Sequence, residues 1–305
     1  MNWLHYGGLL TALMSVGLIS ASCKPEQRSV GPVYQADEAG RGERIYYFAV
    51  NPLHNPIKLV EAYQPLLDDL NHEMSGVKVE LEASRDFARF EQKIRSRQPD
   101  VIRPNPWQTL VAIQSGYHVV AMEGAAEDFR GLIIVRKDSD ILQPTDLKGR
   151  SVSYPSPTSF SACIMPQLFL QNHGVNINID IDNRYVGSQE SSIMNVFLKL
   201  TAAGATWPLS WRSFQKEHPE EASDLKVMWE TDYLINSSVM IRNDLPAKFQ
   251  EDLLRVLTNL QATVKGRVIL GNIGIDQYRI ASDRDYDVVR KYVAEFEKKV
   301  RVIAE

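Results

Sequence analysis

Short apolar runs alternate with longer stretches of helical spacing along most of this chain. Residues 45–50 form a continuous apolar run, suited to a strand buried on both faces. Residues 57–71 then place Leu59, Val60, Tyr63, Leu66, Leu67 and Leu70 on one helical face. Residues 77–81 alternate like a strand, 86–97 read as a helix, and 100–102 form a short strand. A helix at 107–116 and a strand at 118–122 follow. This βαβαβαβ order predicts an α/β domain with a mainly parallel sheet.

Residues 131–138 form a strand with no long helix before it, a candidate crossing into a second domain. A second βα series follows: a strand at 150–154, a helix ending at His173 and Gly174, and a strand near 183–186. A helix at 191–200, a short strand at 204–207, a polar helical stretch at 213–223 and a strand at 225–229 complete it. Residues 238–244 then echo 133–138, with Ile241-Arg242-Asn243-Asp244 answering Val135-Arg136-Lys137-Asp138. Similar strands on either side of the second series predict paired crossings between two lobes. One amphipathic helix at 246–263 and a C-terminal helix at 286–299 are expected to pack on the first lobe.

Composition narrows the class. The 305 residues carry a net charge of −4, which speaks against a nucleic-acid footprint or a polybasic membrane patch. Two cysteines, Cys23 and Cys163, exclude a disulfide scaffold and a cysteine-rich metal site. The sequence holds no HExxH, Walker A loop, GxSxG elbow or CxxC pair. No catalytic residue, cofactor or metal is therefore assigned.

The N-terminus stands apart. Residues 9–22 are apolar, uncharged and of signal-peptide length, and they end in small residues before Cys23. This resembles the lipobox of bacterial lipoproteins, which implies cleavage after residue 22 and acylation of Cys23. A plain secretory signal and an uncleaved anchor are the alternatives. Polar residues 23–43 read as a tether. Cys163 is then left without a disulfide partner and is expected as a small buried apolar residue.

The stretch from Tyr154 to Ala162 draws attention for its chemistry. It sets Ser156, Thr158, Ser159 and Ser161 between a strand and a helix start. Hydroxyls, free backbone N–H groups and the positive end of the helix dipole favour an anion there. The plain alternative is an N-cap at Ser156 with Pro157 at the first helical position.

Residues 58–66, 134–139, 146–150, 187–190 and 274–278, in this order and spacing, resemble the phosphate/phosphite/phosphonate-binding proteins of ABC importers. These belong to the type II periplasmic-binding-protein class. The resemblance implies two α/β lobes joined by two hinge strands and closing on a ligand. The expected division is 44–129 with 236–305 as one lobe and 130–235 as the other.

The resemblance also implies site residues. The family's Ser-Thr-Ser-Gly turn falls on Ser159-Phe160-Ser161-Ala162, next to Thr158. The family's Gly-Ser-His-Asp motif reads Gly187-Ser188-Gln189-Glu190, and Arg103 stands where an aromatic is usual. Ser159 and Ser161 are expected to hold the anion beside Gln189. Arg103 is expected to neutralise it from the opposite lobe, or to form a salt bridge with Glu190 or Asp100. Asn105 is expected at the ligand or as a helix cap. Tyr154, Phe160, Trp107, Trp207 and Trp211 are candidates for the walls. His54, in the first loop, is read as a surface residue.

The expected partners are a small anionic ligand, most simply a phosphonate, an ABC permease with its ATPase, and the membrane through Cys23. No nucleic acid is expected, and the chain is read as a monomer. Alternatives are an envelope sensor that presents its ligand to a receptor kinase, and a cleft enzyme of the thiamine-precursor type with Cys163 as its thiol.

Overall fold

The computed structural model describes residues 44–53, 56–124 and 129–303. The leader, Cys23 and its tether lie outside the described residues, as do His54 and Asn55. Among the described residues no helix is long and apolar enough to cross a membrane.

Four strands open the fold: β1 (Arg44–Val50), β2 (Val77–Glu82), β3 (Val101–Arg103) and β4 (Tyr117–Glu123). Helices α1 (Pro56–Glu73), α2 (Phe87–Arg95) and α3 (Pro106–Gln114) join them. Helix α2 shows how local sequence sets these elements. Asp86 caps it, its carboxylate accepting from the Arg89 N–H at 2.7 Å. Phe87, Phe90 and Ile94, spaced three and seven apart, form its buried stripe.

The second series contains β5 (Leu132–Arg136), β6 (Ser151–Tyr154), β7 (Asp182–Tyr185), β8 (Ala203–Thr206) and β9 (Leu225–Glu230). Its helices are α4 (Met165–Asn172), α5 (Gln189–Phe197), α6 (Pro208–Glu217) and α7 (Pro219–Ser223). The single polar helix expected at 213–223 is thus two, because Pro219 lacks the N–H that would continue α6. The chain ends with β10 (Ser238–Arg242), α8 (Ala247–Asn259), α9 (Val264–Ile273), β11 (Tyr278–Ile280) and α10 (Asp287–Lys299). The long helix expected at 246–263 stops at 259. Thr263 then caps the separate helix α9, accepting from the Gly266 N–H at 2.9 Å.

Two mixed sheets result. Their strand orders are β11-β4-β10-β3-β1-β2 and β7-β6-β8-β5-β9. In the first, β1, β2, β3 and β4 point one way, and β10 is inserted antiparallel between β3 and β4. In the second, β6, β7, β8 and β9 share a direction and β5 is inserted antiparallel between β8 and β9. The same insertion is therefore made twice, and each inserted strand is the one that follows a passage from the other sheet; the edge strand β11 also runs antiparallel to β4.

This corrects the expected role of the two echoing strands. Neither is itself a crossing, since each lies wholly within one sheet. The passages precede them and run side by side: Thr231 N–H donates to the Gly131 carbonyl and Leu234 N–H to that of Phe129, both at 2.9 Å. The echo is real in a different sense. Arg136 pairs with Asp138 at 2.8 Å and Arg242 with Asp244 at 3.0 Å, so each inserted strand ends in the same local ion pair, and each arginine reaches a second carboxylate, Asp224 or Asp100.

Helix α10 also departs from expectation. It packs on α3 of the first lobe and on α4 of the second, and Leu110, Phe296 and Leu168 belong to one hydrophobic cluster. Beyond it, the Asn178 side chain donates to the Val300 carbonyl at 2.6 Å. The C-terminal segment therefore straddles both lobes.

Candidate functional site

Ligands of open α/β sheets bind beyond the C-terminal ends of parallel strands, where the strand order reverses. Here those ends are Asn51 after β1 and Asn105 after β3, facing the turn after β6 and Trp207 after β8. They enclose a cavity between the sheets of about 10 Å3, roughly what one buried water needs. Anything larger requires the lobes to part or the lining to shift.

On the second-lobe side the cavity is lined by Ser159, Phe160, Ser161, Gln189 and Trp207. The turn differs from a simple N-cap. Ser156 caps no helix: its hydroxyl meets the Thr158 hydroxyl at 3.1 Å and the Thr158 N–H at 3.3 Å, and its carbonyl accepts from Ser159 N–H. The helix begins at Phe160 as a π-helical turn, Phe160–Ile164, which runs into α4. Its first bonds link Ile164 N–H to the Ser159 carbonyl and Met165 N–H to that of Phe160. Such wide turns bond each N–H five residues back, so the N–H groups of residues 160–163 fall before the first intrahelical bond. The turn thus offers donors beside the Ser159 and Ser161 hydroxyls.

Gln189 opens α5, with Ser188 as its cap. The Thr206 hydroxyl donates to the Gln189 carbonyl at 3.0 Å, and the Gln189 amide reaches the Ser159 hydroxyl at 3.5 Å. With its oxygen so occupied, Gln189 presents N–H donors to the cavity.

The first-lobe side contributes Asn51, Leu53, Phe87 and Asn105, and Ser237 lies on the return passage. Asn105 serves as the cap of α3, accepting from Gln108 N–H at 2.9 Å, while its amide donates to the Thr158 carbonyl at 3.1 Å. It ties the lobes together at the cavity edge.

Several expected residues lie elsewhere. Arg103 is 1% exposed and its guanidinium forms a buried ion pair with Glu123, its Nε at 2.8 Å from the carboxylate. The partner is neither Glu190 nor Asp100. Burial alone would push the guanidinium down, but the Glu123 carboxylate outweighs it and the charged form is held above its ordinary range. Arg103 does not line the cavity. It reaches it through Asn51, donating to that side-chain oxygen at 2.7 Å. Trp107 is buried in the hydrophobic core, and Tyr154 packs against Tyr185 with ring centres 6.0 Å apart; neither lines the cavity. Thr158 sits at the lobe contact, where its carbonyl accepts from the Asn105 amide at 3.1 Å and its hydroxyl meets that of Ser156. Trp211 stacks on Phe214, at 6.0 Å, away from the cavity.

The aromatic wall is real but differently composed. Phe129 stands between Phe160, at 6.2 Å, and Trp207, at 5.8 Å, while the Trp207 N–H is spent on Ser210 at 2.7 Å. Sequence reading missed Phe129, Leu53, Phe87 and Ser237. Their apolar or small character resembles any core or loop position. Gly131, two residues after Phe129, is glycine for a spatial reason: a Cβ there would lie 2.6 Å from the Ser161 carbonyl.

Beside the cavity a second recess of about 190 Å3 holds the lobes together electrostatically. Lys58 of α1 pairs with Glu217 and lies 3.5 Å from Glu190, and His218 meets Glu190 at 3.1 Å. Ligand atoms of Glu190, Glu217 and His218 approach within 4.8 Å, but Lys58 already meets their charge. Cys163 is fully buried and its thiol is pushed up to about 12 by that burial, which leaves it protonated at neutral pH.

Two sheets, each with an antiparallel strand inserted between parallel ones, enclosing at their strand ends a cavity lined by aromatic and polar side chains, define a two-lobe periplasmic-binding-protein fold of type II. Solved structures agree. The binding protein component of an ABC phosphonate transporter from Pseudomonas aeruginosa superposes with a TM-score of 0.78 at 18% identity, over 85% of this chain and 88% of that one. A methylphosphonate complex from Prochlorococcus marinus gives 0.77 at 19% identity, over 84% and 99%. Residues 48–286 match the model of the family described as ABC transporter, phosphonate, periplasmic substrate-binding protein, and the chain belongs to that family. A probable ABC transporter phosphite binding protein of Prochlorococcus marinus is 24% identical over 198 residues. That alignment covers 61% of this chain and 65% of the length of the relative.

Proposed function

We propose that this chain is the extracytoplasmic solute-binding protein of an ABC importer and captures a small phosphorus oxyanion, a phosphonate or phosphite, between its lobes. Family membership supports the class, and relatives whose names or complexes specify phosphite and methylphosphonate support the ligand. One observation carries the reading. The π-helical turn after β6 sets hydroxyls and N–H donors at the cavity, and the locked Gln189 amide adds another donor beside Ser159. A tetrahedral oxyanion is a ligand that such converging neutral donors suit.

Residues 44–129 with 236–305 act as one lobe and 130–235 as the other, with α10 spanning both. The ligand contacts donors of both lobes only when they are closed, so binding shifts an open–closed equilibrium. The closed form docks on a permease and ATPase. Acylated Cys23 tethers the protein to the membrane; Cys23→Ala should release it into the soluble fraction, and retention there would refute the anchor.

Calorimetric titration of the purified chain with methylphosphonate, phosphite, phosphate, aminoethylphosphonate, sulfate and carboxylates tests the ligand class. Saturable binding of a phosphorus oxyanion is expected, weakened several-fold by Ser161→Ala. Binding confined to sulfate or carboxylates would overturn the assignment.

A further inference from the structure

The cavity presents a puzzle of charge. No Lys, Arg or His is among the described residues that line it. The arginine behind the first-lobe wall, Arg103, is neutralised by Glu123. A second arginine lies behind the other wall. Arg301, just beyond α10, donates from Nη2 to the Pro157 carbonyl at 2.7 Å and from Nε to the Gln167 side-chain oxygen at 3.2 Å. Its Nη2 also lies 3.7 Å from the Cys163 sulfur. Pro157 and Cys163 flank the segment that carries Ser159 and Ser161, so one guanidinium braces both ends of the binding turn. The Phe296 ring stacks beneath it, 5.2 Å from the guanidinium carbon.

Every one of these partners is neutral. Among the described residues no carboxylate oxygen lies within 4.0 Å of the Arg301 nitrogens. A guanidinium remains charged at any physiological pH. Half-buried, it is screened less than a surface charge. Its field therefore adds to the positive end of the helix that starts at Phe160.

We propose that Arg301 supplies the net positive charge of the anion site from behind the turn, positioning the turn without touching the ligand. This rests on the reading that the cleft holds a phosphorus oxyanion, and it adds a selectivity. A fixed charge of this kind interacts about twice as strongly with a doubly charged ligand as with a singly charged one. The site should therefore prefer the dianion.

The test is calorimetric titration of the full chain, Arg301→Gln and Arg301→Lys with methylphosphonate, at pH values below and above the ligand's second ionisation and at low and high salt. Arg301→Gln is expected to weaken dianion binding about tenfold and monoanion binding about threefold. Arg301→Lys keeps the charge while losing the planar fork. It is expected to retain the dianion preference even where overall affinity falls, and it serves as the variant of record should Arg301→Gln not fold. Equal weakening of both ionic forms in Arg301→Gln, or unchanged binding, would overturn the proposal, as would loss of the dianion preference in a folded Arg301→Lys. Failure of the unmodified chain to bind any phosphorus oxyanion would instead overturn the reading of the cleft on which the proposal rests.

Discussion

Behind the first-lobe wall of the cleft, Arg103 is fully buried and closed into a pair with Glu123. Behind the second-lobe wall, Arg301 is half-buried and meets only neutral oxygen and sulfur atoms. The two walls differ in the same way at their surfaces. Asn51 and Asn105 spend their side-chain oxygens on Arg103 and on the cap of α3, so the first wall is tied into its own scaffold. The second wall starts a helix whose first N–H groups precede any intrahelical bond. One wall supplies rigidity and the other supplies electrophilic donors. An arginine near a site thus says little about that site until its own partner is known.

The sharpest way to break this contrast is to remove Glu123. Glu123→Gln leaves the Arg103 guanidinium buried without a counter-charge, which costs about 3–5 kcal/mol. A large fall in the denaturant midpoint is expected. In Arg103→Met/Glu123→Leu, which removes both charges, stability should largely return. Little change in Glu123→Gln would show that the first wall does not depend on the pair. The corresponding strike on the second wall is Gln189→Glu. Thr206 can still donate to the new carboxylate, so the local fold is kept, but a negative charge now faces the ligand. Like charges at that range cost several kcal/mol, and oxyanion affinity should fall roughly a hundredfold. Undiminished affinity would move the anion away from Ser159 and Gln189.

Much of this scaffold was legible along the chain, because strand and helix periodicities are local. The strand at 100–102 and the helix expected from residue 86 fall close to where residue patterns place them, with Asp86 as the cap of α2 and not its first helical residue. What was not legible is long-range. Glu123 is twenty residues from Arg103 and is the last residue of a largely apolar strand, so nothing local marks it as the partner. Tyr154 follows the burial pattern of its strand, and the face it shares with Val152 belongs to the core rather than to the cavity. Phe129 reads as an ordinary apolar residue until the passage between sheets sets it between Phe160 and Trp207. Arg301 lies far from the turn it braces. Helix α10 was assigned to one lobe because sequence order cannot show a helix packing on two.

Where the two walls meet, the expected effects are smaller. Burial pushes the Glu91 carboxyl above the ordinary carboxylate range, and the hydrogen bond from the Gln108 amide offsets this only in part. The folded chain therefore holds this proton more tightly than the unfolded chain does. The stability Glu91 contributes is full below the unfolded carboxylate value and is lost as pH rises through the raised folded value. Glu91→Gln remains neutral throughout. It should flatten that part of the stability–pH curve and be more stable than the unmodified chain at neutral pH, with the gain vanishing in acid. A parallel curve for the variant would mean that Glu91 titrates normally.

The smallest effect is expected at the rim. Lys58 bridges the lobes through Glu217 and Glu190, and the Glu217 hydrogen bond raises its ammonium above the ordinary lysine range. All three side chains are about a third or more exposed, so water and salt screen the contact. Exposed ion pairs of this kind contribute about 0–1 kcal/mol. Lys58→Met also leaves Glu190 with His218, which keeps part of the second-lobe cluster intact. Ligand affinity should therefore fall by no more than about fivefold at low ionic strength, and the difference from the unmodified chain should disappear in high salt. A loss that is much larger, or that persists in high salt, would make the rim rather than the Asn105–Thr158 contact the main tie between the walls. The division of labour would then be drawn in the wrong place, with closure set by surface charge and not by the buried edge of the cavity.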